Sequence, residues 1–382
     1  METKVAVIGV GQTAYSIQDS LHSANEMVLD AVEFALADAS MELGDIDAAV
    51  TSCIDLWDGR TASNFYLTEV VGSVMKPETR VAGDGSLAVF HGALSLLSGS
   101  YRSVLVVSSC RGSEGDHEAI SNWVFDPIYQ QPLGLDYLSA AALQADYYMN
   151  QFGISPSALA HVVAKNRENG ARNPRAMLRT PVSLDEIERS EVRSYPLRAM
   201  DVAPVGDGAC ALVMAREEVI DKRTHRPIWI HGMASALGSH YLGDRVLSED
   251  VALRIAAAKS YEMAGVKDPT EEIDLVELSE HYSYQELMWM ESLGLCPAGK
   301  GADLLLSGAT RIQGKIPVNP SGGLLSGCPY VVAGMARVAE CVLQLRGEAG
   351  GSQVRYVSRA LAHGTWGPCG QAHCVIVLGA HR

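Results

Sequence analysis

The stretch Val318-Asn319-Pro320-Ser321-Gly322-Gly323-Leu324-Leu325-Ser326-Gly327-Cys328-Pro329-Tyr330 decides how this 382-residue chain is read. Two clusters of turn formers bracket the Leu324-Leu325 pair, and their glycines allow backbone approaches that other residues forbid. Apolar residues then recur at helical spacing over 331–345 and stop near Gly347. A thiol at Cys328 therefore sits between a Gly-rich turn and a helix start, where a helix dipole can favour the thiolate. The same thiol also suits a small buried filler, because free cysteine is among the most buried residue types.

Working outward, one α/β unit occurs twice. Ala35-Leu36-Ala37-Asp38-Ala39 leads into Ile46-Asp47-Ala48-Ala49-Val50, and Tyr261-Glu262-Met263-Ala264-Gly265 leads into Ile273-Asp274-Leu275-Val276-Glu277 in the same order. Each copy opens on an apolar strand (5–8 and 227–231) and passes through a helix (about 23–39 and 249–264). Helices of this length between strands predict an α/β protein with parallel sheets covered by helices. The first half continues with a helix over 85–97 and a buried strand over 104–107; the second ends on a strand over 374–378. The halves are placed at 1–222 and 223–382. Residues 111–196 interrupt the repeat with Trp123, Tyr129, Tyr137, Tyr147 and Tyr148, and are read as a lid or loop insertion over the site.

With 47% apolar residues the chain can bury a large core. Its 45 acidic against 30 basic residues, a formal charge of −15, disfavour nucleic-acid binding. No apolar run approaches the roughly 20 residues of a membrane span, and Met1-Glu2-Thr3-Lys4 lacks a signal-peptide start; a cytoplasmic protein is expected. Eight cysteines without CxxC pairs give no zinc or disulfide framework. Gly9-Val10-Gly11 is an incomplete dinucleotide fingerprint better explained by a turn.

The quoted stretch resembles the VNPSGG…GHPxGATG signature of thiolases, with Cys328 where that motif has its histidine. Ala164-Lys165-Asn166-Arg167-Glu168-Asn169-Gly170-Ala171-Arg172-Asn173-Pro174, Tyr195-Pro196-Leu197-Arg198 with 201–209, and Glu291-Ser292-Leu293-Gly294-Leu295-Cys296 with Gly299-Lys300-Gly301 resemble further motifs of the sterol-carrier-protein-x branch, in order along nearly the whole chain. The resemblance implies a thiolase fold, five αβαβα layers from two fused similar halves, in a homodimer. It also implies a coenzyme A thioester as substrate or product, no other cofactor, and a small zinc-ribbon/OB-fold partner subunit.

It further implies that the nucleophilic cysteine position is occupied by Ala82. Two residues on, Asp84 reads as a helix cap or as a pocket acid or base. Glu280-His281-Tyr282 follows a buried strand and is similar to the DHF variant of steroid side-chain aldolases in the superfamily; His281 is the first catalytic candidate, able to move a proton or polarise an oxygen near neutral pH. His363, in a Gly-rich context near the family's second cysteine, is the second candidate, or a turn crosslink. Tyr330 and Tyr282 are either hydrogen-bond donors to an enolate or packing aromatics. Glu280, Tyr282, Asn319, Gly322, Gly323 and Gly364 stand as substrate-binding candidates. His91 and His373 are read as packing or surface residues, and Asp55-Leu56-Trp57-Asp58-Gly59-Arg60 as lining a dimer-facing pocket or making a turn. No metal site is expected. Three functions remain open: an acyl-CoA C–C lyase without a cysteine-linked acyl group, an acyltransferase using Cys328, and a non-catalytic scaffold.

Overall fold

The computed structural model describes residues 4–58, 63–220 and 226–382. The Met1-Glu2-Thr3 start, Gly59 and Arg60 of the 55–60 cluster, and the 222/223 boundary lie outside the described residues. The strands are β1 Val5–Gln12, β2 Ala48–Ser52, β3 Glu78–Val81, β4 Ser103–Arg111, β5 Val192–Ser194, β6 Leu197–Arg198, β7 Asp207–Arg216, β8 Ile228–Leu237, β9 Leu275–Glu277, β10 Arg359–Trp366 and β11 Ala372–Gly379. The helices are α1 Ala24–Ala39, α2 Gly85–Leu97, α3 His117–Trp123, α4 Tyr137–Phe152, α5 Pro156–Gly170, α6 Leu184–Glu188, α7 Val251–Ala264, α8 Pro269–Glu272, α9 Ser283–Ser292, α10 Gly301–Leu306 and α11 Ala333–Arg346.

Nine strands form one sheet in the order β3-β2-β4-β7-β1-β8-β11-β10-β9. The expectation of parallel sheets is corrected. β2 runs parallel to β3 and β4, and β9 to β10, whereas β7 and β11 run antiparallel to both neighbours. Residues 367–371 joining β10 to β11 are too few for a parallel crossover, which needs about a dozen residues. The strand sets meet at β1 and β8, where Ala6 faces Trp229 and Val7 faces Ile228.

The layers follow from which helix faces are apolar. Helix α1 buries Val28, Val32 and Ala35 against Ile8 and Val213. Helix α7 buries Leu253, Ala256 and Ala257 with Val375 and Val377. Between the strand sets lie α2 and α11, whose Val89, Ala93, Val338 and Val342 share one core with Val106 and Ile376. Helices buried on several sides carry apolar residues all round, and α11 accordingly buries nearly every residue. Truncating one such side chain, for instance Leu96 to alanine, costs about 2–5 kcal/mol. The result is α–β–α–β–α layering with the N-termini of α2 and α11 abutting at its centre.

Candidate active site

At that centre Asp84 caps α2, accepting from Ser86 N at 2.8 Å, and its other oxygen accepts from Gly334 N of α11 at 2.8 Å. It is buried, which raises its pKa to about 6 against the opposing pull of these donors. Gly364 of β10 is required here, since a Cβ would collide with Asp84 and Ser86. The cap reading of Asp84 is what the structure displays, and the carboxyl faces this helix junction rather than a cavity. Ala82, just before it, is exposed.

The cavity lies beside this junction. It encloses about 340 Å³ and brings together His281, Tyr282, Cys328 and Tyr330. Their neighbours in the wall are Trp57, His117, Glu118 and Tyr137, together with Arg193 and Ser194. All of these except Trp57 come from the 111–196 segment. His281 stacks on Tyr330 with ring centroids 4.5 Å apart. Tyr330 in turn lies 5.1 Å from Trp57 and 6.3 Å from Tyr137.

His281 follows β9 because Gln285, in the first turn of α9, takes the backbone N–H groups of His281 and Tyr282 on its Oε1 at 2.9 and 3.2 Å. Its backbone oxygen accepts from Ala203 N at 2.8 Å. Burial pushes its imidazole down to about 3, so the ring is neutral at neutral pH. Among the described residues its Nε2 has no hydrogen-bond partner. Burial also raises Tyr330 well above 10, keeping it a hydrogen-bond donor, and pushes the Cys328 thiol up to about 12 despite the opposing Arg337 charge. Of the two readings of Cys328, the structure places it as a buried thiol, and burial favours its protonated form.

Glu280, one residue before His281, points the other way. Its Oε1 accepts from Asn166 Nδ2 (2.9 Å) and Leu324 N (3.1 Å), and its Oε2 from Asn319 Nδ2 (2.7 Å). Glu286 shares both amides and pairs with Lys165 at 2.6 Å. Glu277 accepts from Ser321 N and Oγ and pairs with Arg337 at 2.9 Å. Gly323, at φ 59°, passes so close to Glu280 that a Cβ would overlap its carboxylate. Glu280, Asn319, Gly322, Gly323 and Gly364 thus sit behind the cavity wall. The 164–174 motif belongs to this network as well: Asn169 and Asn173 donate to the backbone oxygens of Asn319 and Ser321, so α5 braces the loop from below.

His363 also lies behind the wall. Its Nε2 is 2.8 Å from His373 Nδ1, and His373 Nε2 is 2.7 Å from Asp250 Oδ2. His373, read as a packing or surface residue, is fully buried and belongs to a hydrogen-bonded chain. Sequence reasoning missed Asp250; its place as the residue before the α7 apolar pattern was the signal available. It missed His117 and the pocket role of Tyr137 too, because their order in the insertion carries no periodic pattern. Among the described residues no group of three or more His, Cys, Asp or Glu side chains is disposed to hold a metal, and no helix is long and apolar enough to cross a membrane.

With this geometry in view, comparison with known proteins decides the family. The acetyl-CoA acetyltransferase of Methanothermobacter thermautotrophicus is 32% identical over 378 residues, spanning 96% of this chain and 97% of its own. This chain belongs to the thiolase superfamily. A family model described as thiolase C-terminal domain-like matches residues 240–380. Within the superfamily, sterol carrier protein 2 of Gallus gallus is 27% identical over 389 residues, covering 95% of this chain and 70% of that one. The solved Ltp2-ChsH2(DUF35) aldolase superposes with a TM-score of 0.85 at 27% identity, covering 99% of this chain and 98% of that one. The five-layer arrangement is therefore the thiolase fold.

Proposed function

We propose that this protein cleaves the carbon–carbon bond beside a coenzyme A thioester by a retro-aldol route, without a cysteine-linked acyl group. One observation carries the reading. The two cavity-lining thiols, Cys328 and Cys369, are both held protonated by burial, while the neutral His281 with its unpartnered Nε2 stacks on Tyr330. His281 Nε2 takes the proton of a 3-hydroxyl as the Cα–Cβ bond breaks; the bond's electron pair moves onto the thioester as an enolate, and a carbonyl compound leaves. Burial that disfavours an isolated imidazolium is offset by the enolate charge formed in the same step. The Tyr330 hydroxyl donates to the enolate oxygen, and the proton then returns to Cα to release a shortened acyl-CoA.

The superposition on an aldolase solved with a second component supports, for this chain, a small partner subunit that completes acyl-CoA binding. A homodimer and a cytoplasmic setting fit the same reading. Incubating the protein, with and without a DUF35-type partner, with 3-hydroxyacyl-CoA and 3-oxoacyl-CoA compounds tests it. Cleavage of the hydroxy compounds without free CoA is expected; consumption of free CoA with 3-oxo compounds alone contradicts it. The second reading, an acyltransferase using Cys328, is favoured by that thiol's place in the wall and by the relative named an acetyltransferase.

A further inference from the structure

We infer that Asp250, His373 and His363 form a buried positioning relay that ties together two parts of the cavity wall, the β10–β11 turn and the segment that carries His281. The inference rests on the reading of His281 as the proton acceptor. His373 Nε2 lies 2.7 Å from both Asp250 Oδ2 and the Gly370 carbonyl, two acceptors, so that nitrogen carries the proton. His373 Nδ1 is then the acceptor for His363 Nε2 at 2.8 Å, which puts the His363 proton on Nε2 and leaves its Nδ1 bare. That bare nitrogen faces the backbone N–H of Ser279 at 3.5 Å, and the Ser279 hydroxyl donates to the His363 carbonyl at 2.8 Å.

The relay therefore ends on two parts of the cavity. Gly370 lines the cavity from the β10–β11 turn, and Ser279 stands two residues before His281, which lines it as well. Trp289 closes over both imidazoles, with ring centroids 4.9 and 5.5 Å away, and all three rings are buried. Both histidines touch no cavity space, so their part is to hold position. Asp250 also caps α7, its Oδ1 accepting from Leu253 N at 3.0 Å, and so anchors the relay to an outer helix.

Asp250→Asn separates the two duties of this residue. Asparagine caps a helix as well as aspartate does, but with its oxygen on Leu253 N its amide N–H₂ meets the His373 N–H, donor against donor. The tautomer chain should then break while the helix stays capped. In the unaltered protein labelled with ¹⁵N-histidine, the His363 proton is expected on Nε2 and the His373 proton on Nε2. In D250N this pattern should be lost, and kcat should fall by roughly 10–100-fold, the range known for removing the outer partner of a metal-bound imidazole, with KM little changed. Should D250N not fold, Asp250→Ser keeps a single capping oxygen and removes the carboxylate, one of the two acceptors of His373 Nε2. A His363 proton on Nδ1 in the unaltered protein overturns the relay, as does a folded D250N with altered tautomers and undiminished kcat. If the unaltered protein turns over nothing, the proposed reaction fails, while the ¹⁵N spectrum still decides the tautomer chain.

Discussion

Glu280 and His281 are neighbours in sequence and belong to two different environments. Glu280 is enclosed in a hydrogen-bonded charge network with Asn166, Asn319, Glu286 and Lys165. His281 faces a cavity, and its Nε2 has no partner among the described residues. The network commits its polar groups to one another and fixes the 318–330 loop, whereas His281 Nε2 stays uncommitted beside the cavity. A motif that looks catalytic in sequence is thus split between a rigid support and a residue of the cavity wall.

This contrast is sharpened most by His281→Gln, which removes the proton acceptor and leaves the network intact. Turnover of a 3-hydroxyacyl-CoA should fall by about 10²–10⁴-fold with the melting temperature nearly unchanged; a large loss of stability with turnover retained would place His281 among the supports. Lys165→Met should act in reverse. It strands Glu286 as a buried, uncompensated charge, at a cost of about 3–5 kcal/mol in denaturant unfolding, and activity should decline only as folded protein declines.

Asp84 adds a pH dependence on the support side. Its folded pKa, about 6, lies above the unfolded value near 3.8, so its contribution to stability is fully present below the unfolded value and is lost as pH rises through about 6. At about 1.4 kcal/mol per unit, the loss between those limits is roughly 3 kcal/mol. Asp84→Asn should flatten the stability profile across this window, and an unchanged slope would mean that the carboxyl is not buried as described.

Much of the fold was legible because hydrophobic period and caps agree. Helix α2 begins and ends where its apolar spacing says, with Asp84 as its cap; Gly347 closes α11 in the left-handed conformation its position called for. The antiparallel returns of β7 and β11 were not legible, since an apolar strand buried on both faces reads alike in either direction. The site was legible at His281 and Tyr330, which lie just past a strand end and a glycine turn. Which side of the loop Asn319, Gly322 and Glu280 face was not, because residue type alone cannot tell an amide that holds a loop from one that holds a ligand. Asp250 and His373 meet only through the pairing of β11 with β8 and β10 and the packing of α7, contacts that no local pattern encodes.

The smallest effect expected bears most directly on the central claim. Replacing Cys328 with alanine removes a protonated, buried thiol that lies in the cavity wall and should leave turnover nearly unchanged. The decisive measurement is intact-protein mass spectrometry of the unaltered and Cys328→Ala proteins, each with the partner subunit, during reaction with 3-hydroxyacyl-CoA and 3-oxoacyl-CoA compounds. The account predicts cleavage by both proteins with no acyl adduct on either. An acyl adduct on Cys328 that forms and decays during turnover, and is lost together with activity in the alanine variant, would contradict it.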